Sequence, residues 1–182
     1  MNIAVASLMT AEAFVHWSEN NAGRHERIDG MVVTMDAARA IYATVKLHVA
    51  IALKEAVGRA QIAAEVFGDG MAVRISGTTV HDPDALVRLG VRLDPSAVVV
   101  SDPVIVIEVL SPSTGPIDTK IKLVNYFMFP SVAHYLVVNA QEQIVQHYRR
   151  SDAGDPVMTL VRQGTLQLDP PGLSIDVATF FT

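Results

Sequence analysis

Apolar residues recur at every fourth position over residues 37–57, and this spacing predicts a long helix with one apolar face. The positions concerned are Ile41, Val45, Val49, Leu53 and Val57. A shorter helix is expected over residues 10–19, where Thr10 is a suitable N-cap because its hydroxyl can accept from a free backbone N–H. Two further helices are expected. One covers residues 118–129 and would end at Pro130, and the other lies near residues 176–181.

Short runs rich in β-branched residues predict the strands of a sheet. Asp29 and Gly30 lie between apolar pairs, which is a strong signal for a hairpin turn. Residues 104–110 form a nearly continuous β-branched run, typical of a central strand buried on both faces. The other predicted strands are 61–67 and 71–75, joined across residues 68–70, and 85–89, 134–138, 143–148 and 157–161. This mixed order indicates an α/β (α+β) fold, in which a central mixed β-sheet is flanked by helices.

Composition then limits the class of protein. Half of the 182 residues are hydrophobic and 18% are charged, which fits a folded protein, and without a linker pattern we expect a single domain over residues 1–182. The high apolar fraction also suggests a buried subunit interface and hence a homodimer. The chain has no cysteine, so disulfides and thiolate metal sites are excluded. No signal peptide and no run of about 20 apolar residues is visible, which favours a cytoplasmic protein without membrane contact.

Glu108 is the strongest chemical anomaly, because it interrupts the apolar run at 104–110. An unpaired buried carboxylate costs several kcal/mol, so Glu108 needs a partner. It can belong to a structural ion pair, lie at an exposed strand end, or bind a metal ion. Asp84, which follows Pro83 at the start of a predicted strand, is a second carboxylate, although Asp-Pro-Asp is also a common turn. Two carboxylates on adjacent strands could hold Mg²⁺ for phosphodiester hydrolysis.

A cation follows on the next predicted helix. Asp118, Lys122 and Tyr126 are spaced four residues apart and would share one helix face. Lys122 could orient water or stabilise charge, whereas the alternative is a solvated Asp–Lys pair, which is the preferred interpretation for Lys120. Arg149 and Arg150 are interpreted as a solvated strand end. Four histidines, without metal-binding spacing, are interpreted as structural or surface residues: His16, His48, His134 and His147.

Five segments, in a fixed order, carry a resemblance to a known family. They are MTAEAF at 9–14, GRHERIDG at 23–30, PDAL at 83–86, VIEVLSPST at 106–114 with the trailing residues just described, and PGLSIDV at 171–177. Together they resemble the Uma family of restriction-endonuclease-like proteins, within the PD-(D/E)XK nuclease superfamily. The resemblance implies a restriction-endonuclease-like core and a Mg²⁺- or Mn²⁺-dependent endonuclease that hydrolyses phosphodiester bonds of DNA.

The resemblance also assigns residues to the site. Asp84 matches the Asp of the PD motif and Glu108 matches the acidic residue of (D/E)XK, so both would ligate the metal, helped by the backbone carbonyl of Val109. Glu26 matches an additional acidic residue of the family, although from its predicted strand alone it is equally an ordinary exposed residue. Lys122 matches a catalytic lysine that has moved to the following helix.

Two positions depart from the pattern. Leu110 stands where the motif has its lysine, and Tyr42 stands where many relatives carry a histidine on the long helix. The net charge of −5 also disfavours avid non-specific binding of nucleic acid. These observations leave a rival interpretation open: a non-catalytic dimeric scaffold or binding module that retains the fold. A metal hydrolase acting on a small phosphodiester is a third possibility. The nuclease interpretation predicts that four residues converge in space: Glu26, Asp84, Glu108 and Lys122.

Overall fold

The computed structural model describes residues 3–4, 9–35, 39–111, 117–151 and 154–182. Its α-helices are α1 (Ala11–Glu19), α2 (Ala40–Ala60) and α3 (Leu123–Phe127). A π-helical segment, Ile117–Lys122, leads directly into α3, and a 3₁₀ turn, Val177–Phe180, lies near the end of the chain. The strands are β1 (Ile3–Ala4), β2 (His25–Ile28), β3 (Met31–Thr34), β4 (Ala64–Gly68), β5 (Ala72–Arg74), β6 (Val80–His81), β7 (Ala85–Leu89), β8 (Val99–Val100), β9 (Pro103–Val109), β10 (His134–Asn139), β11 (Ile144–Arg150), β12 (Pro156–Val161), β13 (Thr165–Leu168) and β14 (Leu173–Asp176).

The strands form two six-stranded sheets and one small hairpin. The first sheet has the order β1-β3-β2-β6-β5-β8 and the second the order β12-β11-β10-β9-β7-β4, while β13 pairs with β14. In the second sheet β9 and β10 are parallel and every other neighbouring pair is antiparallel. The α/β (α+β) class predicted from the element order is therefore confirmed.

Strand β9 is the centre of the structure, because all seven of its residues are buried. Ile105 and Ile107 pack in one apolar cluster with α2, whereas Val106 packs in another with Tyr126 of α3. Helix α2 thus covers one face of the second sheet, and α3 together with β5 and β8 of the first sheet covers the other, which explains why the strand has no polar alternation. The predicted buried central strand at 104–110 is confirmed to within one residue.

The long helix differs from its prediction in extent and in its buried face. It runs over Ala40–Ala60 instead of 37–57, and Ile41, expected in the core, is 44% exposed. Tyr42 is buried in its place and begins a stripe with three- and four-residue steps through Val45, Val49 and Ala52. A helix has 3.6 residues per turn, so a strict spacing of four drifts off the core-facing side.

Two strand predictions were wrong, one in the residue at which the strand begins and one in the pairing of the two strands. Gln61 ends α2 in a left-handed conformation, with φ of 53°, so the strand predicted over 61–67 begins only at Ala64. Strand β5 does not pair with β4 across residues 68–70, because β4 lies beside β7 in the second sheet and β5 lies in the first. The chain therefore crosses between sheets at this turn.

The hairpin at Asp29 and Gly30 is confirmed. Both residues have positive φ, 49° and 86°, and Ile28 pairs with Met31 across the turn. That conformation is the one a two-residue turn needs to follow the twist of its strands. The expected helix near 176–181 is a single 3₁₀ turn. In the described part of the chain, none of the helices is both long and apolar enough to cross a membrane.

Candidate active site

A buried lysine joins one strand of each sheet. Lys122 Nζ lies 2.8 Å from Glu26 Oε1, on β2, and 2.8 Å from Glu108 Oε1, on β9. The lysine is 1% exposed and the two glutamates are 2% and 3% exposed. Tyr126 donates its hydroxyl to Glu108 Oε1 at 2.9 Å. These contacts bring together three of the four residues that were expected to converge.

The local sequence explains the geometry of this cluster. Side chains alternate between the two faces of a strand, so Glu108 points to the same side of β9 as Val106, towards α3. Lys122 and Tyr126 are four residues apart, a spacing that directs both side chains to one side of a helical segment. The prediction that these two side chains share one helix face is therefore confirmed. The side chain of Asp118, the third member of this set, lies outside the described residues.

Opposing effects determine the ionisation of the cluster. Burial disfavours the charged form of Glu26, but the charge of Lys122 and the neighbouring His81 outweigh it and lower the pKa of Glu26 to about 2. Burial, and then the negative charge of Glu108, raise the pKa of Tyr126 well above its usual value. Tyr126 is therefore a neutral hydroxyl donor, and Glu26 is a carboxylate, at any pH near neutrality.

Asp84 lies beside this cluster but has its own cations. Its Oδ2 accepts from the backbone N–H of Val109 at 2.7 Å, which fixes it next to Glu108 in the chain. Its Oδ1 lies 2.6 Å from Lys46 Nζ, on α2, and 3.3 Å from Arg24 Nη1. Asp84 is 5% exposed, so these charges act with little screening by water.

Arg24 connects Asp84 to two further acidic residues. Its Nε donates to Asp82 Oδ2 at 2.8 Å, and its Nη2 donates to the carbonyl of Asp82 at 2.9 Å. Its Nη1 also lies 3.3 Å from Asp69 Oδ2. The backbone N–H of Asp82 in turn donates to Glu26 Oε1 at 3.0 Å. The two groups of charges are therefore linked through residues 82–84.

Several alternatives from the sequence are now decided. Glu26 is not an ordinary exposed strand residue, Glu108 is not at an exposed strand end, and Lys122 is not a solvated partner of Asp118, since all three side chains are buried. Lys120 is exposed, as expected. The sequence did not point to Lys46 or Arg24, and the only available signal was a lysine next to the buried stripe of α2.

Arg150, expected at a solvated strand end, instead has a structural role. Its guanidinium donates to the carbonyls of Val132, Phe127 and Phe129 at 2.6–3.0 Å. His134 and His147 form a buried pair, with Nδ1 and Nε2 2.9 Å apart. Burial lowers the pKa of both histidines, to about 4 for His147, which also feels the charges of His134 and Arg149.

The donor chemistry of the site fits a hard divalent cation, but its present arrangement does not form a complete set of ligands. Among the described residues, no group of three or more His, Asp or Glu side chains is placed to hold a metal ion. In this arrangement ammonium and guanidinium groups contact the carboxylate oxygens. In the described part of the site, four buried carboxylates lie among three cations: Glu26, Asp82, Asp84 and Glu108 with Arg24, Lys46 and Lys122.

Comparison with known proteins supports a nuclease-like fold. A solved structure described as a putative nuclease belonging to DUF820, from Anabaena variabilis, superposes with a TM-score of 0.73 at 14% identity, over 95% of this chain and 97% of that one. The uncharacterized protein slr1290 of Synechocystis sp. is 24% identical over 175 residues, which are 95% of this chain and 91% of that protein. A family model described as "Putative restriction endonuclease" matches residues 11–178. Because that match spans nearly the whole chain, the protein belongs to the Uma2 family.

Proposed function

We propose that this protein is a metal-dependent endonuclease that hydrolyses phosphodiester bonds of DNA, with Mg²⁺ or Mn²⁺ as its cofactor. The observation that carries the proposal is the buried Lys122 held between Glu26 and Glu108, with Asp84 bound to the next backbone N–H along β9. Buried ion pairs of this kind contribute little net stability compared with apolar packing. Their presence in a nuclease family therefore supports a chemical role.

Each residue of the site has a distinct task in this proposal. Asp84 and Glu108, with the carbonyl of Val109, would hold the cation, which polarises a phosphoryl oxygen and lowers the pKa of bound water. Lys122 positions the attacking water or stabilises charge on the phosphoryl group. Glu26 fixes the Lys122 ammonium and could orient a second ion or water.

The nearest neighbours of the site support this division of tasks. Tyr126, which stays neutral, donates to the same Glu108 oxygen that Lys122 contacts. Fixing one oxygen leaves the carboxylate with a defined orientation, as productive metal ligands require. Among the described side chains of the site the carboxylates outnumber the cations, which favours an incoming cation over an anion.

A plasmid-cleavage assay tests the proposal. The wild type should nick supercoiled DNA in Mn²⁺ and lose that activity in excess chelator. Glu108→Gln and Lys122→Met should each lower the cleavage rate by about 10²-fold or more, because the first removes a ligand of the cation and the second removes the charge that acts on the water or the phosphate. Lys120→Met, in the same helical segment but exposed, should cleave like the wild type.

Three results of this assay would count against the proposal. Equal cleavage by the wild type and Glu108→Gln would indicate a contaminating nuclease. Cleavage of a small phosphodiester such as bis-p-nitrophenyl phosphate without cleavage of DNA would favour a small-molecule hydrolase. Cleavage of neither substrate, in Mg²⁺ or Mn²⁺, would exclude the enzymatic role.

A non-catalytic dimeric scaffold is the second candidate, and two observations favour it. The carboxylates of the site already contact protein cations, as they would in a purely structural ion-pair network. The edge strand β12 also exposes three apolar side chains, Val157, Met158 and Leu160, which suit a subunit interface. This candidate predicts a homodimer that shows no heat of Mn²⁺ binding in isothermal titration calorimetry.

A further inference from the structure

Asp84 has one oxygen fixed by the backbone and one that faces cations only. Oδ2 accepts from the N–H of Val109, whereas Oδ1 contacts the side chains of Lys46 and Arg24. A metal ion bound by Asp84 has readier access to the oxygen that is not committed to the backbone. The oxygen that meets this condition is Oδ1, and Lys46 is its nearer cation.

The two cations at Oδ1 are held very differently. Arg24 has two hydrogen bonds to Asp82 and a further contact with Asp69, so it keeps its place without Asp84. Lys46 has Asp84 as its one ion-pair partner among the described residues. Its side chain is 17% exposed, in contrast to the fully buried Lys122. Lys46 can therefore turn towards solvent at low cost, because an ammonium group on a flexible stem regains its hydration there.

We propose that Lys46 is a placeholder for the metal ion: it neutralises Asp84 in the metal-free protein and leaves when the ion binds. This inference rests on the proposed metal-dependent function. The ammonium group stabilises the folded metal-free state, because without it this buried carboxylate keeps only the longer contact with Arg24 and the N–H of Val109. It also lowers the apparent affinity for metal, since the ion must displace it. Once displaced, Lys46 lies at the rim of the site, where it can pair with a phosphate of the substrate.

Calorimetric titration of Mn²⁺ into the purified protein tests this role without any measurement of activity. Lys46→Met keeps most of the apolar stem and removes the competing charge, so it should bind Mn²⁺ about tenfold more tightly than the wild type, or better. The matched control is Lys54→Met, on the same helix at an exposed position; its affinity should equal that of the wild type.

The outcomes of the titration separate the two proposals. Equal or weaker binding by Lys46→Met, with binding by the wild type, overturns the placeholder role and leaves the metal site standing. Absence of binding in both proteins overturns the metal site and the placeholder together. Tighter binding by Lys46→Met than by the wild type, with Lys54→Met unchanged, supports both the metal site and the placeholder role.

Lysine labelling provides a second test that needs no variant. In the wild type, the acetylation rate of Lys46, followed by peptide mass spectrometry, should rise severalfold when saturating Mn²⁺ is added, because the ammonium is released from Asp84. Lys54 serves as the internal standard and should be labelled at an unchanged rate. An unchanged rate at Lys46 under conditions where the protein binds Mn²⁺ overturns the inference.

Discussion

Replacing Lys122 by methionine removes a buried cation that lies between Glu26 and Glu108, at 2.8 Å from each. Methionine keeps much of the apolar stem, so the change acts mainly on charge. Breaking a buried ion pair from one side costs about 3–5 kcal/mol, because the remaining charge stays desolvated. Here two carboxylates lose the ammonium group they share, although Glu26 keeps the N–H of Asp82 and the neighbouring His81, and Glu108 keeps the hydroxyl of Tyr126. We therefore expect a loss of about 3–5 kcal/mol in the free energy of unfolding of the metal-free protein at pH 7.

The loss should depend on pH in a defined direction. In the wild type the charge of Lys122 helps to lower the pKa of Glu26 to about 2, against the effect of burial. A lowered carboxyl pKa stabilises the fold above about pH 4.5, and that stabilisation disappears as the pH falls towards 2. Without Lys122 the pKa of Glu26 should rise, so protonation relieves the buried charge. The variant should consequently lose less stability at pH 5 than at pH 7.

Urea unfolding at pH 5 and pH 7, followed by circular dichroism, measures both effects. In a thermal scan at pH 7 the melting temperature should fall by about 6–20 °C, since 1 kcal/mol corresponds to about 2–4 °C for a chain of this length. Lys120→Met, exposed in the same segment, should remain within about 0.5 kcal/mol of the wild type. A Lys122→Met variant as stable as the wild type at pH 7 would refute the buried ion-pair network.

Three further outcomes are expected. Tyr126→Phe should lower the free energy of unfolding by about 1–2 kcal/mol in urea, because it removes the donor to Glu108 and leaves the ring in place; no loss would mean that the bond is absent. Burial lowers the pKa of His147 from 6.5 to about 4, so its neutral form stabilises the fold above pH 6.5 and this contribution is lost as the pH falls towards 4. His147→Gln should therefore flatten the plot of stability against pH between about 6.5 and 4. An unchanged plot would contradict this role of His147. Light scattering should show a homodimer at micromolar concentration that Leu160→Glu converts to a monomer, and a monomeric wild type would end the dimer proposal.

The sequence predicted features of the fold and the site correctly where the residues that determine them are close together in the chain. One carboxylate inside an apolar strand identified Glu108, and a helical spacing of four joined Lys122 to Tyr126. The turn at Asp29 and Gly30 follows from backbone conformations that few residue pairs adopt. In each case the deciding residues lie within a few positions of one another.

The sequence did not predict features that depend on contacts between residues far apart in the chain. Nothing near residues 68–70 shows that the chain passes from one sheet to the other there, because strand partners are selected by the whole fold. Arg24 contacts Asp82, 58 residues further along the chain, and Lys46 resembles an ordinary helix-flank lysine. Glu26 came from family resemblance alone, since a buried glutamate on a short strand has no distinctive local pattern.

Crystals soaked in Mn²⁺ provide a direct test of the proposed site, in which Asp84 and Glu108 bind one metal ion beside Lys122. In anomalous diffraction we expect one strong peak within about 2.0–2.6 Å of a carboxylate oxygen of each residue, with the Lys46 ammonium moved away from Asp84. A peak elsewhere, or no peak while Lys46 still contacts Asp84, would contradict the proposed metal site.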